Sequence, residues 1–328
     1  MINVKPFHYK IMAVDSLQIL SLMDNSADFL STTNRRETQT FRQWTKKQYG
    51  QKWIDTHPLF PIAEHGFSLL VRVIMDGKSN TILFDSGCSS NGIILNAKRM
   101  GIDLSEVDCI VISHGHYDHF GGLVSSINAI KRLNLPIILH EDAFKNRGTT
   151  NPDGTIRTHP IFPPIKQIKH TNLIITKKPH LIINNEILVT GEIPRKTSYE
   201  KGFLNHRAFV NGSWKPDPWI WDDQAAIIKL KGKGIVVIAG CAHSGIINTL
   251  NYAQQITGSN DIYAVIGGFH LAGKQGEKTI KQTVEDIKRI NPEIIIPAHC
   301  TGWRAKCALA KTIPNKFIWN SVGNFYRL

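Results

Sequence analysis

No Cys-x-x-Cys pair and no regular cysteine spacing occur in this sequence. Its five cysteines, Cys88, Cys109, Cys241, Cys300 and Cys307, are scattered and odd in number, which argues against a disulfide framework and for a reducing compartment. The opening stretch, MINVKPFHYKIMAVDSLQIL, lacks the continuous apolar core and small-residue cleavage site of a secretory leader. No apolar run approaches the length needed to span a bilayer. A cytoplasmic protein with no membrane segment is expected. Internal repeats and low-complexity tracts do not stand out either, so the chain reads as an ordinary globular one. Nor is there a separate basic module or an RNA-binding aromatic motif, which makes nucleic acid an unexpected partner.

What the chain does have is material for a sizeable core. At 328 residues, 42% hydrophobic and 20% charged, it needs no disulfide staples, and a layered α/β domain can reach this length. Lys and Arg exceed Asp and Glu by 39 to 26, a net charge of +13. Such an excess suits nucleic acid, an acidic membrane surface or an anionic small substrate. The charges are spread out, and the densest run, Lys229-Leu-Lys231-Gly-Lys233, reads as a solvated hairpin tip.

The pattern of elements is α/β. An opening strand is expected at Leu17–Met23, followed by a polar stretch, Ser31–Gln51, forming a loop or short helix over the surface or a site. Phe67–Met75 and Thr81–Phe84 read as strands around the turn Asp76–Asn80. Asn91–Met100 suits a helix and Val107–Ile112 a short buried strand. Leu123, Ile127, Ile130 and Leu133 share one helical face, and Pro136–Leu139 is the next strand. Residues 144–222 are rich in proline, glycine and polar residues, and are expected to be a loop-rich insertion with strands at Leu173–Ile175 and Glu186–Thr190. Strands follow at Ala225–Leu230, Gly234–Ala239, Ile262–Ile266 and Glu293–Ile296, with a helix at Thr279–Ile290. Two mixed β-sheets flanked by helices in a four-layer αββα sandwich would bury so many short apolar strands. The expectation is a single domain over 1–328.

The chemistry concentrates in Ser113-His114-Gly115-His116-Tyr117-Asp118-His119, followed by Phe120-Gly121-Gly122. This segment lies between the apolar strand and the amphipathic helix, where open α/β folds place ligands. Residues two apart in an extended segment point the same way, so His114 and His116 can face one ion. The chain then turns, and Asp118 and His119 can face a second point nearby. Imidazole nitrogen with carboxylate oxygen suits zinc, iron or manganese. A single histidine is more often structural than a ligand. Four ligand-type residues in six positions, in a strand–loop–helix setting, are hard to obtain by chance.

The segment resembles the His-x-His-x-Asp-His motif of the metallo-β-lactamase superfamily. Further histidines stand just past short apolar runs in the order that family shows: Gly240-Cys241-Ala242-His243-Ser244-Gly245, Gly267-Gly268-Phe269-His270 and Pro297-Ala298-His299-Cys300-Thr301-Gly302. The resemblance implies the αββα fold and one or two metal ions, zinc first, with iron or manganese as alternatives. It implies His114, His116 and His243 as ligands of one ion, and Asp118, His119 and His299 as ligands of the other. Phe84-Asp85-Ser86-Gly87 resembles the family's Asp-x-Gly turn, whose aspartate orients the metal loop rather than binding metal. Many members carry a bridging Asp where His270 stands. His270 is thus a candidate ligand, substrate contact or hydrogen-bonded neighbour.

A narrower resemblance rests on Ala63–Leu69, Thr190–Arg195, Gly240–Gly245, Gly267–Leu271 and Pro297–Gly302. These are similar to a subgroup of metal-dependent hydrolases and of 7,8-dihydropterin-6-yl-methyl-4-(β-D-ribofuranosyl)aminobenzene 5′-phosphate synthases. The implied function is a metal-dependent small-molecule enzyme. It would be hydrolytic, through metal-bound hydroxide, or synthase-like, and would act on an anionic phosphate-bearing or pterin-like substrate. Asp118 and His270 are the catalytic candidates. His65, Arg195 and His270 are the substrate-binding ones, with Asp24, Asn25 and Glu64 as softer candidates. Trp214, Trp219 and Trp221 could stack on a flat ring, although such aromatics more often pack a loop. The alternatives are a metal-dependent nuclease or phosphodiesterase, and a non-catalytic metal-containing binding or sensory protein. The oligomeric state is not legible.

Overall fold

Residues 8–33 and 35–328 are described in the computed structural model, so the first seven residues of the stretch read for a leader, and Asn34 in the polar stretch, lie outside the described residues. Contacts divide the chain into two compact units. One comprises Ser16–Ile175, Asn205–Pro216 and Asn320–Leu328; the other comprises Thr176–Leu204, Asp217–Trp319 and the described residues 8–15.

The first unit is built on an eight-stranded sheet. Its spatial order is Thr38–Gln39, Phe325–Arg327, Ser16–Met23, Ser68–Met75, Lys78–Phe84, Cys109–Val111, Leu135–Leu139 and Thr171–Ile175. Pairing is antiparallel as far as Lys78–Phe84 and parallel beyond it. The hairpin from Ser68–Met75 to Lys78–Phe84 turns on Asp76 (φ 49°) and Gly77 (φ 75°). Asp-Gly tolerates positive φ at both central positions, so the turn is tighter than the five residues expected. On one face, Leu20, Leu22, Leu83, Ile110, Ile137 and Leu139 pack against Ile93, Ala97 and Met100 of the helix Gly92–Met100 and against Leu123 and Ile130 of the helix Leu123–Ile130. The alternate residues Ile19, Val71 and Phe84 are fully buried too, which is why these strands read as continuous apolar runs.

One expectation is corrected here. The helix from Leu123 stops at Lys131, which is left-handed (φ 57°), and Leu133 is 79% exposed rather than on the apolar face. The polar stretch before Gln51 forms the helix Phe41–Tyr49, started by a Thr40/Gln43 capping box in which the Thr40 N–H donates to Gln43 Oε1 at 2.8 Å.

A third, smaller sheet also belongs to this unit. It pairs Ser213–Pro216, His206–Val210, Arg147–Thr150 and Ile156–Thr158, all antiparallel. The region 144–222 therefore holds more strand than its composition indicated.

The second unit carries a six-stranded sheet ordered His180–Ile182, Ile187–Val189, Ala225–Leu230, Gly234–Ala239, Ile262–Gly268 and Ile294–Ala298. The first four strands are antiparallel and the last two join in parallel. Helices Ile246–Thr257, Ile280–Ile290 and Trp303–Thr312 bury Leu250, Ala253, Ile287, Ala305 and Leu309 against Val237, Val265 and Ile295. Both sheets are thus mixed and carry helices, in keeping with the α/β class expected. Among the described residues, no helix is long and apolar enough to cross a membrane.

The helix Ile246–Thr257 starts after Gly245, which has no side chain to cap it. Glu200 does so instead, accepting from the Ile247 and Asn248 N–H groups at 2.9 Å each. A Cβ on Gly245 would meet the Glu200 carboxyl at 2.2 Å, and Gly245 itself sits at φ 94°. Burial pushes the Glu200 pKa from 4.5 up to about 7, against the opposing pull of the two N–H groups. An acid whose pKa is higher folded than unfolded holds a proton in the folded chain over the interval between them. Stability is then expected to fall as pH rises from 4.5 to about 7. Glu200→Gln should flatten that slope, which thermal unfolding at a series of pH values measures.

Candidate metal centre

In the first unit the loop after Cys109–Val111 is held by one residue, Asp85. Its backbone is left-handed (φ 60°), it is fully buried, and it follows Lys78–Phe84, the strand next to Cys109–Val111. Asp85 Oδ1 accepts from the Ser113 N–H at 2.7 Å, and Oδ2 accepts from the Ser113 hydroxyl at 2.7 Å. His119 Nδ1 lies 2.7 Å from the same Oδ2. A proton on Nδ1 is fixed by that contact, which leaves the Nε2 lone pair of His119 for a ligand. The Ser86 N–H donates to the His119 carbonyl at 2.6 Å and anchors the same turn. Asp85 thus contacts both ends of the loop, at Ser113 and at His119.

His114 is arranged in the same way. Its Nδ1 faces the Ser113 hydroxyl at 3.0 Å, and its Nε2 faces His116 Nδ1 at 2.9 Å. The His114 and His119 rings are 4.2 Å apart. Asp118 is 8% exposed, with Oδ2 3.9 Å from His119 Nε2 and 3.4 Å from Nε2 of the largely exposed His65. Asn25 Nδ2 is 3.0 Å from His65 Nδ1 and sets that ring. Glu64 accepts from the Cys88 and Ser89 N–H groups, and Asp24 accepts from Asn320. These two carboxylates hold loops.

His116 has a second nitrogen partner that the sequence did not announce. Its Nε2 lies 2.9 Å from His206 Nε2, and His159 is close by, with rings 5.6 Å from His116 and 6.0 Å from His206. His206 and His159 belong to the small sheet and the turn beyond it. One ligand-type atom from each of His116, His159 and His206 fits within 4.8 Å. Burial, with the neighbouring imidazoles and the Arg147 guanidinium, pushes the His116 pKa well below the usual histidine range. Burial likewise lowers His159, to about 4. Both rings are therefore neutral at pH 7, the form that binds metal. With Nδ1 of His116 turned to His114, its Nε2 is held by the contact to His206 Nε2. His206→Ala is expected to weaken metal binding roughly 10-fold, the lower end for removing a partner behind a ligand, while His206→Gln retains most of it. Metal titration of the two variants measures this.

In the second unit the three expected histidines stand at strand ends. His243 follows Gly234–Ala239, His270 follows Ile262–Gly268 and His299 follows Ile294–Ala298. The His243 and His270 rings are 4.2 Å apart, and Phe203 lies 5.5 Å from His270. His270 (φ 44°) and His299 (φ 42°) are both left-handed. Such non-glycine residues are strained and cluster at functional sites. The buried Asp223 accepts from the Ser244 N–H at 3.0 Å and its hydroxyl at 2.6 Å, fixing the residue after His243 much as Asp85 fixes the one before His114. Burial raises the Asp223 pKa.

Arg195 donates to the carbonyls of Ile193, Trp219 and Ile220, and its guanidinium lies 4.5 Å over the Trp221 ring. Its fork therefore ties together loops of this unit, as Trp221 does by packing on it. Trp214 packs on Phe209 in the small sheet of the first unit. Cys241, His299 and Cys300 form a further group with ligand atoms within 4.8 Å.

The donor set of buried imidazoles beside a carboxylate fits a divalent transition metal. The family model described as the metallo-beta-lactamase superfamily matches residues 62–254. A 7,8-dihydropterin-6-methyl-4-(beta-D-ribofuranosyl)-aminobenzene-5′-phosphate synthase of Methanocaldococcus jannaschii is 30% identical over 251 residues, covering 74% of this chain and 83% of the relative. An uncharacterised protein of the same organism is 34% identical over 264 residues, covering 80% and 92%. Among solved structures, a metal-dependent hydrolase of the β-lactamase superfamily shares the fold with a TM-score of 0.69 and 24% identity, covering 95% of this chain and 98% of that one. The chain belongs to the metallo-β-lactamase superfamily.

Proposed function

We propose that the protein is a metal-dependent enzyme whose substrate is a small anion, phosphate-bearing or pterin-like, with zinc as the native ion in one or two sites. One observation carries the reading most: the buried Asp85 carboxylate engages Ser113 and His119 together. Such a device orients imidazole nitrogens toward a ligand; a purely structural histidine cluster has no need of it. His114, His116, Asp118 and His119 are the ligands on this reading, and the family pattern adds His243 and His299.

When bound, the ion would lower the pKa of water toward neutrality and polarise a phosphoryl or carbonyl oxygen. The remaining work falls to the chain. Asp118, with the exposed His65 beside it, would hold or accept a proton at Oδ2. On this reading the exposed His65, 3.4 Å from Asp118 Oδ2, would contact the substrate anion. His270 lies against His243 at the place where many relatives carry Asp, and there it would orient substrate or ligand.

The 30% identity to a protein named as a pterin-related synthase favours that substrate class over other anions. The test is metal analysis of the purified protein, joined to assays with dihydropterin and ribosylaminobenzene phosphate precursors, phosphomonoesters, phosphodiesters and lactones. Metal-dependent turnover of the pterin pair is the expected outcome. Turnover of phosphodiesters alone would replace the substrate class, and metal-bound protein inert on every class would count against an enzyme.

A further inference from the structure

Cys241 and Cys300 have been given no role so far, yet the fold puts them together. In the second unit's sheet the strand Ile262–Gly268 lies between Gly234–Ala239 and Ile294–Ala298, in parallel with both. Cys241 comes just after one outer strand and Cys300 just after the other. The middle strand ends in Gly268, where a Cβ would meet Cys300 Sγ at 2.6 Å and Cys241 Cα at 3.2 Å. The missing side chain is what lets both cysteines close on one point. Both thiols lie within 4.8 Å of each other and of a His299 ring nitrogen.

All three residues are buried: Cys241 is 2% exposed, His299 2% and Cys300 9%. The Cys300 thiol reaches the Cys241 carbonyl at 3.6 Å, a weak contact. Two backbone positions at this point, Ala242 (φ 52°) and His299 (φ 42°), are left-handed without being glycine. L residues rarely adopt this backbone, and such positions cluster at functional sites.

We propose that Cys241 and Cys300, with His299, bind a transition metal through thiolate sulfur. The inference rests on the reading of His299 as a metal ligand and specifies the donors beside it. Two thiolates on one tetrahedral zinc, with bonds of about 2.3 Å, stand roughly 3.8 Å apart, so the group needs only a small contraction. Each thiol gives its proton to solvent as its sulfur–metal bond forms, with no change in oxidation state. Sulfur with imidazole nitrogen selects zinc or ferrous iron over magnesium or calcium. Buried cysteines can also act as small apolar side chains, and that is the alternative to be tested.

The experiment loads the intact chain with cobalt(II) in place of zinc. It reads the cobalt bound per chain together with the near-ultraviolet thiolate-to-cobalt charge-transfer band. The wild-type protein is expected to show the band, Cys241→Ser and Cys300→Ser to weaken it, and the double variant to lose it. The wild-type spectrum decides even where a variant folds poorly. Cobalt bound with no such band, or a band that survives in the double variant, overturns the thiolate ligands and leaves the histidine site standing. No cobalt bound at all overturns both. Thiol titration adds a control, because a Cys241–Cys300 disulfide in the native protein would overturn the proposal as well.

Discussion

A His116→Ala protein is expected to fold and to lose both metal and activity. His116 has both ring nitrogens facing other imidazoles, 2.9 Å from His114 on one side and 2.9 Å from His206 on the other. Its removal deletes a donor and unpins the two imidazoles that face it. The drop in metal affinity and in turnover should exceed about 100-fold, the upper end of what losing an outer partner costs. The fold should survive, because the first unit's apolar core is built from the strands and helices around Leu83, Ile110 and Ile137 and does not depend on this ring. Metal titration and circular dichroism on one preparation check both halves. Unchanged metal content would contradict the ligand assignment.

Replacing Asp85 is expected to do more to the fold. Its carboxylate takes the Ser113 N–H, the Ser113 hydroxyl and His119 Nδ1, all fully buried. Asp85→Ala leaves those groups without their acceptor, at an expected loss of about 1–3 kcal/mol of stability for each buried donor left unsatisfied. Asp85→Asn keeps the volume and tolerates the left-handed backbone (φ 60°) that alanine does not favour. It should therefore lose less stability than Asp85→Ala while still weakening metal binding about 10- to 100-fold, because the amide no longer fixes the His119 tautomer. Urea unfolding and metal titration separate the two effects. Equal loss of stability in both variants would show that the charge, rather than the shape, holds the turn.

How much of this was legible in the sequence depended on how local the signal is. His114, His116, Asp118 and His119 announce themselves because four ligand-type residues share six positions after an apolar strand. His243, His270 and His299 each follow a short apolar run, and the structure places each at a strand end. His159 and His206 gave no such sign. They come together through antiparallel pairing of Arg147–Thr150 with both His206–Val210 and Ile156–Thr158. These are short, partly exposed, polar strands, and long-range pairing of that kind leaves no period in the chain. Cys241 and Cys300 were readable only as two of five scattered cysteines, although each sits within two residues of a candidate histidine. Their meeting depends on the order of three strands in a sheet. Arg195 was a candidate anion contact because its planar fork suits a phosphate or carboxylate, and its guanidinium is directed to three loop carbonyls.

The central claim is that this buried histidine cluster exists to hold metal. The most direct measurement is the transition-metal content of the purified wild-type chain beside that of a His114→Ala/His116→Ala double variant, both shown to be folded. One or two equivalents of metal in the wild type, dominated by zinc and lost at least in part from the variant, is the predicted result. Equal metal in the two proteins, or a folded wild-type chain that takes up none when zinc is supplied, would contradict it.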